Sequence, residues 1–117
     1  MQSPKPYRVQ RPWGEFVEFT RNAPSTVKLI IVNAGESLSL QTHQERDEFW
    51  RIMSGEGTIR IGDKTHPAVV GADYFIPRTI AHRISAGTSS LVVLEIAFGR
   101  ADEKDIVRLE DSYGRTS

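Results

Sequence analysis

Cysteine is absent from the 117 residues of the sequence, so neither a disulfide nor a thiolate metal ligand can occur. Any metal ion must therefore be bound through nitrogen and oxygen atoms. An excess of charge is also lacking, because lysine plus arginine and aspartate plus glutamate each number 15. This balance supplies no long-range field that would attract nucleic acid or an anionic membrane, and we expect neither as a partner.

Long apolar runs are missing as well. Residues 1–8 are polar and contain proline, without an apolar core of signal-peptide length, and no later run is long enough to cross a membrane. We therefore expect a cytoplasmic protein. The length predicts a single domain over residues 1–117.

Helical periodicity is nearly absent, whereas short apolar or alternating runs recur between turn residues. This pattern is typical of an all-β sandwich or barrel. Strands are predicted at Glu15–Thr20, Thr26–Val32, Leu38–Thr42, Glu48–Met53, Thr58–Ile61, Ala68–Val70, Tyr74–Ile76, His82–Ser85 and Ser89–Phe98. We expect the turns between them, at residues 22–24, 33–35, 54–57, 62–63 and 86–88, to be hairpin connections. The charged segment 102–111 is predicted to form a short helix or an extended cover on the barrel.

Four side chains with nitrogen or oxygen donors are expected to converge on one divalent metal ion. Alternation along residues 38–43 places Gln41 and His43 on the same face of a strand. Glu48 opens the next strand, and a hairpin between the two strands would return its carboxylate beside them. His82 begins a later strand and adds a second imidazole. These donors suit zinc, the expected ion, and also manganese, cobalt, nickel or ferrous iron.

The order and spacing of these residues resemble the first motif of the cupin superfamily, G-x5-H-x-H-x4-E-x6-G, with glutamine in place of the first histidine. The matching positions are Gly35, Gln41, His43, Glu48 and Gly55. The resemblance implies a jelly-roll barrel, also called a double-stranded β-helix.

The second cupin motif, G-x5-P-x-G-x2-H-x3-N, resembles the sequence at Gly71, Pro77 and His82. Thr79 stands where the motif has glycine, and its final asparagine is missing. The turn before His82 is therefore expected to be built differently.

The flanking sequence is similar to one cupin family, the type II mannose-6-phosphate isomerase domain, over nearly the whole chain. The matching segments are 11–14 (RPWG), 38–43 (LSLQTH), Arg46, Glu48, Trp50, 76–77 (IP), 82–83 (HR), 105–111 (DIVRLED) and 113–115 (YGR). In many relatives this cupin is the C-terminal half of a bifunctional enzyme with a mannose-1-phosphate guanylyltransferase domain, and we expect the isomerase-like module to stand alone here. Phe49 replaces the family's histidine between Glu48 and Trp50.

The resemblance implies metal-dependent exchange of mannose 6-phosphate and fructose 6-phosphate, with Gln41, His43, Glu48 and His82 as the ligands. Arg46, beside the ligand turn, is the candidate catalytic residue. The base stays unassigned, because the free carboxylates at positions 45, 47 and 95 have no known orientation.

A sugar phosphate requires cationic donors and favours an aromatic face. Arg11, Arg108 and Arg115 are the candidates for binding the phosphate, as is Arg46. Trp50 shares the inward parity of Glu48 and is the candidate for stacking on the sugar.

Two other functions remain open at this point. A sugar-binding or regulatory cupin without turnover is favoured by Phe49 and Thr79, which depart from the family pattern. A ferrous dioxygenase would use the same donors, although the arginines argue against it. We also expect a homodimer, in which the early strands cover a sheet edge or cross to a partner.

Overall fold

The computed structural model describes residues 6–102 and 104–111, and its regular structure is entirely β. In that part of the chain the strands are β1 (Tyr7–Arg11), β2 (Gly14–Glu18), β3 (Ser25–Val32), β4 (Leu40–Thr42), β5 (Arg46–Ser54), β6 (Gly57–Ile61), β7 (Lys64–Ala68), β8 (Asp73–Ile76), β9 (His82–Ala86), β10 (Leu91–Gly99) and β11 (Val107–Glu110). Among the same residues, no helix has the length and apolar character needed to cross a membrane.

Two larger antiparallel sheets pack face to face. One has the strand order β3-β10-β5-β8, and the other has the order β11-β4-β9-β6-β7. Strands β1 and β2 form a separate hairpin. The all-β jelly-roll prediction is confirmed, although the described strands leave two sheets rather than one closed ring of hydrogen bonds.

The hydrophobic core lies between the two sheets. Alternation along β5 turns Trp50 and Ile52 inward, where each is 1% exposed, and Ile59 and Ile84 from the opposite sheet are fully buried. Full burial of a side chain of this kind contributes about 2 kcal/mol, so the core fixes the spacing of the sheets.

Most of the predicted hairpin turns are instead crossings between the sheets. Of the predicted turns, only the one at residues 62–63 joins two paired strands, β6 and β7. At the crossing from β5 to β6, Gly55 has φ +89°, and a Cβ atom there would lie 1.8 Å from the carbonyl oxygen of Ser90. Glycine is required because the backbones approach too closely for any side chain.

Two parts of the strand prediction need correction. β1 was not predicted, because Tyr7–Arg11 has charged and polar residues on both faces. Among the described strands it pairs with β2 alone. The strand predicted at Ala68–Val70 lies instead at Lys64–Ala68, where pairing with β6 overrides a polar sequence. Of the two forms expected for the segment after Gly99, a helix or an extended cover, the structure shows the extended one, because β11 pairs with β4.

Candidate metal centre

Two buried histidines and one buried glutamate meet between the sheets. His43 follows β4 and His82 begins β9, while Glu48 points inward from β5 in the other sheet. Their exposed fractions are 3%, 2% and 1%. Glu48 Oε2 lies 3.4 Å from Nε2 of His43, and Glu48 Oε1 lies 3.9 Å from Nε2 of His82. One donor atom from each residue falls within 4.8 Å of the others, so the group could hold a metal ion.

The route by which Glu48 reaches the histidines differs from the expected hairpin. β4 pairs with β9 and β11, whereas β5 pairs with β10 and β8. Residues 43–45 carry the chain from one sheet to the other, so Glu48 faces the histidines across the sandwich. The donors therefore converge from opposite walls.

Backbone carbonyls fix the tautomers of both imidazoles. Nδ1 of His43 lies 2.6 Å from the carbonyl oxygen of Asp105, and Nδ1 of His82 lies 2.9 Å from that of Ile80. Because a carbonyl only accepts, Nδ1 carries the proton and Nε2 presents a lone pair to the site. Nε2 of His82 is buried and has no hydrogen-bond partner among the described residues. The imidazoles thus fit a metal ion.

Both histidines are held neutral, which is the form that binds metals. Burial lowers the pKa of His43, against an opposing effect of its bond to the Asp105 carbonyl. Burial also lowers the pKa of His82, to about 4, and the nearby His43 lowers it further. At neutral pH the two rings therefore need no deprotonation before they coordinate an ion.

Gln41 lies beside His43, as strand parity predicted. Its Nε2 atom is 3.4 Å from Nε2 of His43, and its Oε1 atom accepts a hydrogen bond of 2.8 Å from the hydroxyl of Ser39. Turning the amide by half a turn would direct Oε1 into the site and Nε2 to the Ser39 oxygen, which can also accept. The amide can therefore become an oxygen ligand and keep Ser39 as its hydrogen-bond partner.

Arg46 lies within the group of ligands. Its Nε donates to Glu48 Oε2 at 2.8 Å, and its Nη2 lies 3.0 Å from Nε2 of His43. The side chain is 6% exposed, so the guanidinium neutralises a carboxylate that is almost fully buried. This contact makes Arg46 a positioning residue for Glu48, and a metal ion at Nε2 of His43 would displace one of its hydrogen bonds.

Trp50 belongs to the core and does not offer a face to a sugar. At 1% exposure, its indole N–H donates to Glu48 Oε1 at 2.9 Å and approaches Glu95 Oε1 at 3.4 Å. Its ring meets that of His82 edge-on, with centroids 5.4 Å apart. The expected stacking on a substrate is replaced by a role in orienting Glu48.

Glu95 is a second buried carboxyl group at this centre. It is 4% exposed and points inward from β10. Burial, reinforced by the charge of Glu48, raises the pKa of Glu95 to about 7, while Arg46 and Lys28 act in the opposite direction. Glu95 can therefore gain or lose a proton near neutral pH.

A cavity of about 230 Å³ adjoins the centre. Its wall contains Gln41, His43 and Arg46 together with Lys28, Glu95 and Arg108. The structure thus brings Arg108 to the site, as expected.

The other two predicted arginines are not brought to the cavity. Arg11 lies at the end of the β1–β2 hairpin, exposed, with its guanidinium 5.3 Å above the ring of Phe16. It does not line the cavity. Arg115 lies outside the described residues.

The departures from the family pattern leave the centre intact. Phe49 points to the outer face of its sheet and packs against Phe19, with ring centroids 5.6 Å apart. Thr79 adopts φ +73°, the conformation that glycine would favour at this motif position. Its N–H still donates to the carbonyl oxygen of His43 at 2.6 Å.

Sequence reasoning missed the roles of Lys28 and Asp105. Lys28 shares the inward parity of Ile30 and Val32 on β3, which would have identified a charged residue on a buried face. The Asp105 carboxylate accepts from the backbone N–H groups of Gln44 and Glu45, and so anchors the ligand turn. Only the resemblance to the family singled out Asp105, since its contact spans about 60 residues.

Residues 3–111 match the model of a protein family described as the C-terminal part of mannose-6-phosphate isomerase. Among the curated relatives, the chain is 37% identical over 111 residues to the xanthan biosynthesis protein XanB of Xanthomonas campestris and 38% identical over 111 residues to the alginate biosynthesis protein AlgA of Pseudomonas aeruginosa. Both matches include 93% of this chain, but they cover only 24% and 23% of the respective relatives.

Solved structures agree on the fold. The capsular polysaccharide assembling protein CapF of Staphylococcus aureus is 23% identical with a TM-score of 0.65, over 91% of this chain and 33% of that one. A cupin protein from Bacteroides fragilis is 22% identical with a TM-score of 0.60, over 69% and 74% of the two chains. A protein of Acidithiobacillus ferrooxidans, provisionally named a sugar phosphate isomerase, is 30% identical with a TM-score of 0.59, over 67% of this chain and 51% of its own.

The match over residues 3–111 agrees with the cupin fold and the buried His-His-Glu group. The chain belongs to the family of mannose-6-phosphate isomerase C-terminal domains.

Proposed function

We propose that the chain is a metal-dependent sugar-phosphate isomerase that interconverts mannose 6-phosphate and fructose 6-phosphate. The observation that carries this proposal is the pair of neutral imidazoles, His43 and His82, whose Nε2 atoms face the Glu48 carboxylate beside a cavity with cations in its wall. The family and the provisional name of the relative from Acidithiobacillus ferrooxidans support the same class of substrate.

The donor set supports metal catalysis in addition to metal binding. Gln41 is neutral, so Glu48 is the single formal negative charge among the four proposed ligands. A divalent ion bound there would keep net positive charge and would polarise the oxygens of an aldose or ketose. Arg46 and Trp50 hold the two oxygens of Glu48 in place through hydrogen bonds of 2.8 and 2.9 Å.

Glu95 is our candidate for moving the proton. Isomerisation transfers a proton between two adjacent carbons and a second proton between their oxygens, with no net gain or loss of atoms. Of the carboxylates left unassigned by the sequence, Glu95 lines the cavity, whereas Asp47 binds Arg78 on the outer face and Glu45 is exposed. Its carboxylate oxygen can therefore take the proton from one carbon and return it to the next.

One contact favours the second candidate, a sugar-binding cupin without turnover. Arg46 donates to Nε2 of His43, so a cation of the chain itself satisfies one proposed ligand atom. Phe49 no longer supports this candidate, because it lies on the outer face of the sheet.

A coupled assay distinguishes the two candidates. The chelator-treated protein is tested for conversion of mannose 6-phosphate to fructose 6-phosphate, with and without added zinc, manganese or cobalt. We expect turnover that depends on the metal, is lost in His82→Ala and is kept in the matched variant His66→Ala. Absence of metal-stimulated turnover in the wild type would exclude the isomerase, and binding of the sugar phosphate without turnover would establish the second candidate.

A further inference from the structure

Lys28 is a cation on an inward-facing position of β3. Its neighbours of the same parity, Ile30 and Val32, pack on or belong to the hydrophobic core, and Lys28 itself lines the cavity beside the metal centre. A lysine with inward parity at an otherwise apolar position loses hydration, so it needs an anion to offset that cost. Glu95, directly opposite on β10, supplies one such charge.

Arg108 is a second cation on the wall of the same cavity, contributed by the opposite sheet. Its Nε atom is buried and has no hydrogen-bond partner among residues 6–102 and 104–111. An unpaired buried N–H group costs free energy, and an anionic oxygen in the cavity would satisfy it.

Both cations line this cavity from edge strands, Lys28 from β3 and Arg108 from β11. In one sheet Lys28 pairs with Glu95, which pairs with Trp50. In the other sheet Arg108 pairs with Gln41, which pairs with His82. Paired residues of antiparallel strands point to the same face, and adjacent strands are about 4.8 Å apart. Lys28 therefore lies two strands, or about 10 Å, from Trp50, and Arg108 lies equally far from His82.

We propose that Lys28 and Arg108 form an anion subsite for a phosphate monoester, on the edge-strand side of the cavity that adjoins the metal centre. The inference rests on the proposed function and fixes the orientation of the bound substrate. The phosphate binds between the edge strands β3 and β11, and the carbon chain runs from there toward the metal ligands. Specificity for a phosphorylated sugar over a neutral sugar is then due to these two side chains.

The charges around Lys28 agree with this assignment. The cavity wall contains the cations Lys28, Arg46 and Arg108 and the anions Glu95 and Asp102. Arg46 is committed to Glu48, and Asp102 accepts from the backbone N–H of Lys104 and lies 4.0 Å from Arg100. If Lys28 served only to neutralise Glu95, its removal would not affect binding of a phosphate in a Glu95→Gln background.

The experiment uses a matched pair of ligands, mannitol 1-phosphate and mannitol, which differ only in the phosphate and cannot be isomerised because they lack a carbonyl group. Their binding to the full chain is measured by calorimetry, with inorganic phosphate as a third probe. The variants are Lys28→Met, Lys28→Arg and Arg108→Gln, with Lys64→Met as the control on an exposed lysine.

We expect the wild type to bind the phosphorylated ligand at least about tenfold more tightly than the neutral one, because a charge-assisted hydrogen bond has about this effect. Lys28→Met and Arg108→Gln should each lower the affinity for mannitol 1-phosphate about tenfold and leave the affinity for mannitol unchanged. Lys28→Arg should retain most of the affinity, and Lys64→Met should equal the wild type. The loss in Lys28→Met should persist when Glu95→Gln is also present.

Equal affinity of the wild type for the two ligands would overturn the subsite, as would a Lys28→Met variant that binds mannitol 1-phosphate like the wild type. Metal-dependent isomerisation in such a case would leave the proposed function standing without the subsite. Conversely, discrimination that depends on Lys28 in a protein without turnover would retain the subsite and exclude the isomerase.

Discussion

Nε2 of His82 lies 3.9 Å from Oε1 of Glu48, although the two residues come from different sheets. Each side chain is otherwise fixed in place: His82 by the Ile80 carbonyl, and Glu48 by Arg46 and Trp50. The separation of the two sheets, set by the core, therefore sets the distance between the donors.

Arg46 should stabilise the metal-free protein by neutralising Glu48. Arg46→Gln leaves a carboxylate of 1% exposure without its cation, and loss of one partner of a buried pair costs about 3 kcal/mol. We expect that decrease in the free energy of unfolding, measured in urea with a chelator. Added zinc should recover more stability in Arg46→Gln than in the wild type, because the ion replaces the lost charge.

Arg51→Gln is the matched control for this experiment. Arg51 pairs with Asp73 near the surface, with side chains 19% and 33% exposed, so its removal should cost about 1 kcal/mol or less and should not respond to zinc. If Arg46→Gln and Arg51→Gln lowered the free energy of unfolding equally, or responded equally to zinc, the role of Arg46 would be contradicted.

Thr79 is a site of backbone strain beside the centre. A β-branched residue at φ +73° is an outlier, whereas glycine adopts this conformation freely. Thr79→Gly should therefore raise the free energy of unfolding by about 1 kcal/mol, since the exposed side chain contributes little packing. Thr58→Gly, at an exposed position in the regular strand β6, should instead lower it by a similar amount. A destabilised Thr79→Gly variant would show that the threonine side chain has a structural role.

Strand parity determines on which face of a strand a side chain lies, and this was the part of the centre that the sequence predicted. Parity placed Gln41 beside His43 and turned Glu48 and Trp50 inward, because each inference concerned neighbours on one strand. It did not determine whether β4 and β5 pair or cross between sheets, since both arrangements bring Glu48 near His43.

Contacts between distant segments could not be inferred in this way. The Asp105 carbonyl that orients His43 comes from 62 positions along the chain, and Lys28 meets Glu95 only through the pairing of β3 with β10. Trp50 was assigned the correct face but the wrong partner, because parity does not show how deeply a side chain is buried.

The stability of the metal-free protein should depend on the pKa of His82. Unfolded histidine titrates near 6.5, whereas burial lowers the pKa of folded His82 to about 4. As the pH falls from 6.5 to 4, the unfolded chain binds the proton first, so stability that is complete above pH 6.5 is lost across this window. The total loss is about 3 kcal/mol.

This dependence is measured as the free energy of urea unfolding against pH, in the presence of a chelator. Between pH 6.5 and 4, the wild type should lose about 3 kcal/mol more than His82→Gln. His66→Gln, which removes a histidine from β7 outside the centre, should follow the wild type. Parallel curves for the wild type and His82→Gln would refute the buried, neutral state of His82.

The outer face of β3 suggests how two copies of the chain could associate. Val27, Leu29 and Ile31 alternate along this edge strand and are 57%, 60% and 65% exposed. We propose a homodimer in which the β1–β2 hairpin of one copy, with exposed Tyr7 and Trp13, covers this face of the other. The chain thus supplies both surfaces of the proposed interface, the apolar face of β3 and the exposed aromatic side chains of the β1–β2 hairpin.

Light scattering after size exclusion should give the mass of two chains for the wild type and of one chain for Leu29→Lys at the same concentration. Val69→Lys, which alters an exposed valine in a turn, should stay dimeric. A wild-type mass of one chain would exclude the dimer, and a dimeric Leu29→Lys variant would exclude this face.

The most direct test of the centre is elemental analysis of protein purified without chelators, with the same measurement on single variants. We predict one divalent ion per chain in the wild type and in His66→Ala, and loss of most of that metal in His43→Ala, Glu48→Gln and His82→Ala. Wild-type protein without metal, or folded variants that keep a full equivalent, would contradict the assignment of these three side chains as metal ligands.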